Sequence, residues 1–331
     1  MSEFRVVVTD FIQPPLTVEQ EILKGVAQVE ALNACGEEDL AGRIEDADAI
    51  MMYHFVTLSE PTIRRLKKCR LIVRCGVGVD NVDHRTAREL GIPVANVPDY
   101  GAEEVADSAI GMMLTLTRGI HYANSRLQRG VGPWSYEQLV PIHRLRGRTL
   151  GIVGMGRIGI ATALRAKALG LRVIFYDPHV PDGRDKSIGI KQVESLPQLL
   201  QQADIVSMHC PRTPETQHII DEAAIAQMRP GSFLINTARG GVVDVQAVLD
   251  AIERNHLRGA AIDVLEVEPP AGTEPIIAAW RNPDHPAFDR LILNPHSAFY
   301  SEEGLMDMRV KGSRNCRRVL LGESPRNVIN Q

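Results

Sequence analysis

The segment from Leu150 to Asp177 constrains the fold of this chain more than any other. A short apolar strand, Leu150 to Val153, runs into Gly154-Met155-Gly156-Arg157-Ile158-Gly159. An apolar helix from Ile158 to Leu169 follows, and a second strand, Arg172 to Tyr176, ends at Asp177. Glycines alone often mark nothing more than a turn. Between a strand and a helix each has a reason to be there. Gly154 permits the tight turn, Gly156 lets the backbone approach a pyrophosphate, and Gly159 lets the helix pack close to the strand. The helix start offers unpaired N–H groups and a partial positive charge to phosphates. Asp177 can accept hydrogen bonds from both ribose hydroxyls and repels an additional phosphate, so the segment predicts NAD rather than NADP. Arg184 and Lys186 temper that preference.

The same alternation of strand and helix extends in both directions. Before the glycine turn, strands are expected at Phe4 to Val8, Val26 to Leu32, Ala49 to Tyr53, Leu71 to Arg74 and Val94 to Val97. Helices are expected at Thr17 to Lys24, Glu37 to Glu45 and Ser59 to Lys68, the last capped by Ser59 with Pro61 in its first turn. A long helix is expected from Ala102 to Gln128. A Gly-, Pro- and polar-rich stretch, Arg129 to Arg146, then carries Trp134 and Tyr136 and reads as an extended arm, either a subunit contact or packed on its own domain. Beyond Tyr176, strands are expected at Asp204 to His209, Ser232 to Asn236, Gly259 to Val264 and Leu291 to Leu293. The last residues read as a helix polar enough to lie on a surface. Six strands from Leu150 onward make a complete doubly wound nucleotide-binding domain.

A length of 331 residues suits two domains. The net charge of −4, with signs mixed along the chain, argues against nucleic-acid and membrane partners. Arg64-Arg65 with Lys67-Lys68 is short and reads as a solvated helix face. The five cysteines show no metal-ligand spacing, so no metal is expected. Met1-Ser2-Glu3-Phe4 runs straight into a strand with no signal peptide, so a reducing cytoplasm is the simplest expectation.

Three side chains after strand ends suit one chemistry. Reduction of a 2-keto acid needs a cation for the carboxylate and a proton donor for the oxygen that becomes a hydroxyl. Arg239 follows a strand in Asn236-Thr237-Ala238-Arg239-Gly240-Gly241. His296 follows the last strand in Asn294-Pro295-His296-Ser297. Glu268 lies between them in Asp263-Val264-Leu265-Glu266-Val267-Glu268-Pro269. A Glu beside a His favours the imidazolium, which could give a proton in reduction and take it back in oxidation. Each residue alone is weak; the three together, all after strands of one nucleotide-binding sheet, carry the argument.

At this point the chain resembles the D-isomer-specific 2-hydroxyacid dehydrogenases over nearly its whole length. The resemblance is carried by Arg74-Cys75-Gly76-Val77-Gly78-Val79-Asp80-Asn81-Val82-Asp83, by Leu150 to Gly159, and by His209-Cys210-Pro211-Arg212-Thr213-Pro214-Glu215-Thr216. Asn236 to Asp244, Ala261 to Pro269 and Pro295-His296 complete it. Met52-Tyr53-His54, Ile72-Val73-Arg74, Leu164 to Ala168 and Phe299-Tyr300-Ser301-Glu302 place it nearest the C-terminal-binding protein branch, with phosphoglycerate dehydrogenases next. The resemblance implies an α/β protein of two Rossmann-like, doubly wound parallel-sheet domains with an active-site cleft between them. It implies a discontinuous, flavodoxin-like substrate domain, residues 1–101 plus 297–331, and an NAD-binding domain, residues 102–296. Arg239, Glu268 and His296 match the catalytic set. Arg74, Gly76, Val77, Gly78, Tyr53, His54 and Phe299 fall on the substrate side. Gly154, Gly156, Arg157, Ile158, Gly159, Asp177, His209, Cys210, Pro211, Thr216, Thr237, Ala238 and Ser108 line the cofactor, and Asp263 holds the nicotinamide amide. A homodimer is implied, with domain closure about hinges near Tyr100-Gly101 and Ser297-Ala298.

The chain also departs from its nearest branch. Phe299 stands where the C-terminal-binding proteins carry Trp, so their thioether-containing keto acid does not transfer with the fold. Ala271 to Phe288, with Trp280, reads as a longer loop. The chain stops at Gln331, without the regulatory domain of many phosphoglycerate dehydrogenases or the long tail of the animal corepressors. Three functions stay open: a dehydrogenase of small 2-keto and 2-hydroxy acids, an NAD(H)-dependent corepressor-like binding protein, and a phosphoglycerate dehydrogenase. Tyr53, His54 and Phe55 suggest a mixed or apolar pocket and favour a non-phosphorylated substrate.

Overall fold

The computed structural model describes residues 4–330; the expectation for Met1-Ser2-Glu3 lies outside the described residues. The chain divides into two compact units. One ends at Gly101 and resumes at Ser301; the other spans Ala102–Tyr300.

The first unit holds β1 (Phe4–Val8), β2 (Ala27–Ala31), β3 (Ala49–Met52), β4 (Ile72–Arg74) and β5 (Val94–Asn96). All pairings are parallel, in the order β2-β1-β3-β4-β5. Helices cover both faces, so strands such as Val6-Val7-Val8 are apolar throughout and fully buried rather than alternating. The C-terminal helix, Glu302–Leu320, was expected on a surface. Instead it buries Met308, Cys316 and Leu320 against the helix Thr17–Leu23 and against β3 and β4. Its charged residues stay exposed or half-buried while Ser313 and Asn315 are buried beside the apolar ones, a pattern that composition alone hides.

The second unit holds β6 (Thr149–Val153), β7 (Arg172–Tyr176), β8 (Lys191–Gln192), β9 (Ile205–Met208), β10 (Ser232–Asn236), β11 (Leu257–Ile262) and β12 (Leu291–Leu293). Their order is β12-β11-β10-β9-β6-β7-β8, all parallel. The chain winds from central β6 first to β7 and β8, then returns to β9 and runs outward, leaving a topological switch point between β6 and β9. The two-residue polar edge strand β8 is too short to leave a hydrophobic period in the sequence.

Several local expectations are corrected. The helix expected over Glu37 to Glu45 is one short 3-10 turn, Glu37–Leu40, and Gly42 follows at φ +76°. Ser59 stands at a helix start but does not cap it; its hydroxyl donates to Glu37 Oε1 at 2.6 Å, and the helix runs only Glu60–Arg64. The expected long helix is two, Ala102–Thr117 and Ile120–Gln128, separated at Gly119 with φ +62°. The Ala271 to Phe288 loop contains a helix, Pro275–Arg281, that buries Ile276, Ile277 and Ala279 in the core. Residues 297–300, read as substrate domain, group with the second unit.

Candidate active site

The glycine turn lies at the carboxyl end of β6, beside the switch point. Gly154 has φ +94°, and a Cβ there would stand 2.6 Å from the Cys210 backbone nitrogen. A Cβ on Gly159 would run into the Gly154 carbonyl. Gly156 differs: a Cβ there meets nothing within 4 Å, so the absence of a side chain keeps open space over the exposed start of the helix Arg157–Ala168. That is the cradle a pyrophosphate requires. Arg157 is exposed beside it and Ile158 is half-buried.

Asp177 follows β7. Its Oδ2 accepts the Met155 N–H at 2.8 Å and its Oδ1 the His179 N–H at 2.9 Å, which ties the acid to the glycine turn. A carboxylate has about four acceptor positions, so it retains capacity for ribose hydroxyls. Across the switch point His209 donates its backbone N–H to Val153 and its Nε2 lies 2.9 Å from Ser207 Oγ. Burial pushes the His209 pKa down to about 4, so its ring is neutral. His209 Nδ1 and Thr237 Oγ1 are buried polar atoms without a partner among the described residues, as a bound group that completes their hydrogen bonds would explain. Cys210 is nearly buried and its pKa is raised to about 11 by burial, so it is a wall and not a nucleophile. Thr216 Oγ1 donates to the Pro211 carbonyl at 2.7 Å and braces that loop. Ser108 Oγ donates to the Ala298 carbonyl at 3.1 Å.

The three chemically suited residues follow three different strands of this sheet. Asn236, fully buried at the end of β10, donates from Nδ2 to the Arg239 carbonyl at 2.9 Å and accepts the Ala238 N–H at 3.0 Å. This closes the turn that presents Arg239, whose Nη1 donates to the Ala238 carbonyl. Beyond β11, Glu268 Oε1 accepts the Leu265 N–H at 2.6 Å and Oε2 faces His296 Nδ1 at 2.6 Å. Beyond β12, His296 adopts φ +52°, a left-handed conformation that places its ring on the carboxylate. Its backbone N–H donates to the Asp263 carbonyl at 2.7 Å. The Asp263 carboxylate accepts from Ser297 and Ala298 N–H groups at 2.9 and 3.0 Å. Burial raises the Asp263 pKa, and those N–H groups and His296 pull it back. Phe299 stands edge-on to His296 with centroids 6.1 Å apart.

The sequence reading names Asp263 as a cofactor residue but not the supporting contacts made by Asn236, Asp263 and Glu266. Asn236 and Asp263 act through backbone groups that no spacing advertises. Glu266 takes Gln217 Nε2 at 2.9 Å and His218 Nε2 at 3.0 Å, anchoring the Glu268 loop to the loop after β9.

On the first unit, Arg74 ends β4 and Nε donates to Asn81 Oδ1 at 3.4 Å; its guanidinium lies where any side chain on Gly76 would have to go. Val77 is partly exposed and its carbonyl accepts from Asn96. Gly78 follows it in the same turn. Tyr53 is expected on the substrate side. It is fully buried inside the first unit, near Cys75, Glu19 and Arg309. It follows directly on β3, whose residues are all buried, and the chain comes outward only at half-buried His54 and exposed Phe55. No group of three or more candidate metal ligands occurs among the described residues.

Residues 110–298 match the family described as D-isomer specific 2-hydroxyacid dehydrogenase, NAD binding domain. The chain is 36% identical over 310 residues to D-3-phosphoglycerate dehydrogenase of Methanocaldococcus jannaschii, covering 94% of this chain and 57% of that protein. It is 32% identical over 321 residues to C-terminal-binding protein 1 of Caenorhabditis elegans, covering 95% of this chain and 43% of that protein. The chain thus spans about half the length of these relatives. D-lactate dehydrogenase from Aquifex aeolicus, solved with NAD and lactic acid, matches with a TM-score of 0.85 at 28% identity over 96% of each chain. Together with a glycine cradle and acid suited to a dinucleotide, these likenesses show that the chain belongs to the D-isomer specific 2-hydroxyacid dehydrogenase family and that its second unit is the family's NAD-binding domain.

Proposed function

We propose that the protein is an NAD-dependent dehydrogenase that interconverts a 2-keto acid and a D-2-hydroxy acid. The observation that carries this reading is the 2.6 Å pair of His296 Nδ1 and Glu268 Oε2 after two strands of the nucleotide sheet. Glu268 orients the ring and stabilises its positive charge. Nε2 then exchanges a proton with the substrate oxygen. Arg239 binds the substrate carboxylate through its planar guanidinium. Arg74, Gly76, Val77, Gly78, His54 and Phe299 belong to the substrate side of this reading. Thr237, Ala238, His209, Cys210, Pro211, Thr216, Ser108 and Asp263 belong to the cofactor side. Bound NADH supplies the hydride. Asp177 makes NAD the preferred cofactor, because its charge opposes a 2′-phosphate.

NADH oxidation against a panel of 2-keto acids tests the reading, with wild type, His296→Ala and Glu268→Gln side by side. At least one acid is expected to turn over. Each substitution is expected to lower kcat by about 10²-fold or more while leaving NADH affinity unchanged. Absence of turnover on every acid, with tight NADH binding retained, would favour the second reading: a cofactor-gated binding protein, which the likeness to C-terminal-binding protein 1 supports. The five free cysteines suit a reducing compartment. A homodimer suits the exposed arm, where Trp134 is 90% and Tyr136 78% exposed.

A further inference from the structure

The amino ends of the strands in the second unit, away from the glycine turn, hold another concave feature. A cavity of about 180 Å³ is lined by the first residues of β9 and β10, Ile205 and Ser232, and by Arg258 near the start of β11. Pro141, Ile142, His143 and Leu145 of the arm also line it. Pockets for drug-sized ligands begin at roughly 300 Å³, so this one suits a small ion or group.

The turn that leads into β10 follows from its sequence. Pro230 presets the second position of Arg229-Pro230-Gly231-Ser232, Gly231 takes φ +78°, and the Ser232 N–H donates to the Arg229 carbonyl at 3.0 Å. Ser232 is 2% exposed, and its hydroxyl has no partner among the described residues. A buried hydroxyl without a partner calls for an explanation. Charge supplies a second observation. Asp204, just before β9, takes Arg148 Nη1 at 2.9 Å and Arg229 Nη1 at 3.2 Å on Oδ1, and its Oδ2 accepts the Thr149 N–H at 2.8 Å. One carboxylate is thus shared by two guanidiniums. Arg258 is half-buried, and its guanidinium makes no hydrogen bond or ion pair among the described residues. Burial, and then the charge of Arg258, lowers the pKa of neighbouring Arg290, so like charges face each other there.

Arg148, Arg229 and Arg258 against Asp204 leave an excess of two positive charges around the cavity. A phosphate group is close to doubly negative near pH 7 and offers several acceptor oxygens to guanidinium forks and to a hydroxyl. We propose that this cavity is a binding site for a phosphate group, carried by inorganic phosphate or by a small phosphorylated metabolite. Arg258 and the Ser232 hydroxyl donate to its oxygens, and Arg148 and Arg229 hold it by charge from their seat on Asp204. The pyrophosphate cradle lies at the carboxyl end of β6 in the same sheet. The site is therefore separate from the nucleotide and adds to the dehydrogenase reading without depending on it.

Calorimetry at fixed ionic strength tests the site, with inorganic phosphate and glycerol 3-phosphate titrated into NADH-loaded protein. NADH fills the cradle, which would otherwise take phosphate itself. Arg258→Gln and Ser232→Ala each remove a group that has no partner, so both variants are expected to fold. Wild type is expected to bind at least one of the two probes. Arg258→Gln is expected to weaken that binding about tenfold, and Ser232→Ala about fivefold. Equal affinity for both probes assigns the site to inorganic phosphate, and tighter glycerol 3-phosphate assigns it to a metabolite; either result supports it. No binding, as when the arm of a second copy fills the cavity, overturns it. Binding that both variants leave unchanged also overturns it, because the phosphate then sits elsewhere on the protein.

Discussion

At the residue scale, the site is built from side chains whose partners lie far away in sequence. His209 shows what burial does to one of them. Its pKa falls from an ordinary value of 6.5 to about 4 because the charged ring would lose its water. The unfolded chain takes up a proton near pH 6.5 and the folded protein does not until about pH 4. The stability this group supports is therefore complete above pH 6.5 and is lost as pH falls toward 4, by roughly 3 kcal/mol in all. Melting temperatures recorded from pH 7 to 4.5 are expected to fall more steeply for wild type than for His209→Gln, which lacks the titrating ring. Parallel curves would show that burial of this ring does not govern the acid limb. Sequence reading put His209 beside the cofactor through family resemblance. Its burial was invisible there, because it depends on Gly154 closing against the backbone of His209 and Cys210.

Among elements, the instructive case is the C-terminal helix. Glu19 on the helix Thr17–Leu23 is fully buried and is gripped at both oxygens, each at 2.7 Å, by Arg309 on the helix Glu302–Leu320. The two residues are 290 positions apart. Sequence reading assigned this helix to a surface because its composition is polar; the pair and the apolar inner face seat it in the core. Glu19→Gln leaves a largely buried guanidinium without its counter-charge and is expected to cost about 3 kcal/mol in a urea denaturation experiment. The double substitution Glu19→Met with Arg309→Met is expected to recover most of that loss, since an apolar pair avoids the desolvation of both charges. A single variant as stable as wild type would mean the pair contributes specificity only.

On the scale of the whole molecule, the arm leaves several large apolar side chains uncovered. The helix Ile120–Gln128 has no buried residue, Ile120 is 57% exposed, and Trp134, Tyr136 and Val140 extend the exposed surface. An exposed apolar run of this kind suits an interface. The homodimer we propose is expected to weaken when the arm loses its rings. Light scattering behind size exclusion should give a dimer mass for wild type and a shift toward monomer for Trp134→Ala/Tyr136→Ala. A wild-type monomer, or a dimer indifferent to both changes, would place the arm against its own unit instead.

Local physics made the outline legible. Short apolar runs that alternate with helical stretches read as strands of a covered parallel sheet, and the glycines gain meaning from their place between a strand and a helix, so both sheets and the dinucleotide turn could be read from the sequence. Arg239, Glu268 and His296 stood out because each follows a strand. Contacts that close over long sequence distances were not legible. Nothing near Asp263 in the sequence says that it accepts the N–H groups of Ser297 and Ala298 and assigns residues 297–300 to the second unit. Nothing near Tyr53 says that it turns inward while Phe55 stays out. Strand register and helix packing decide which face a residue takes. Those are set by the burial of the whole unit, not by the neighbours of any one residue.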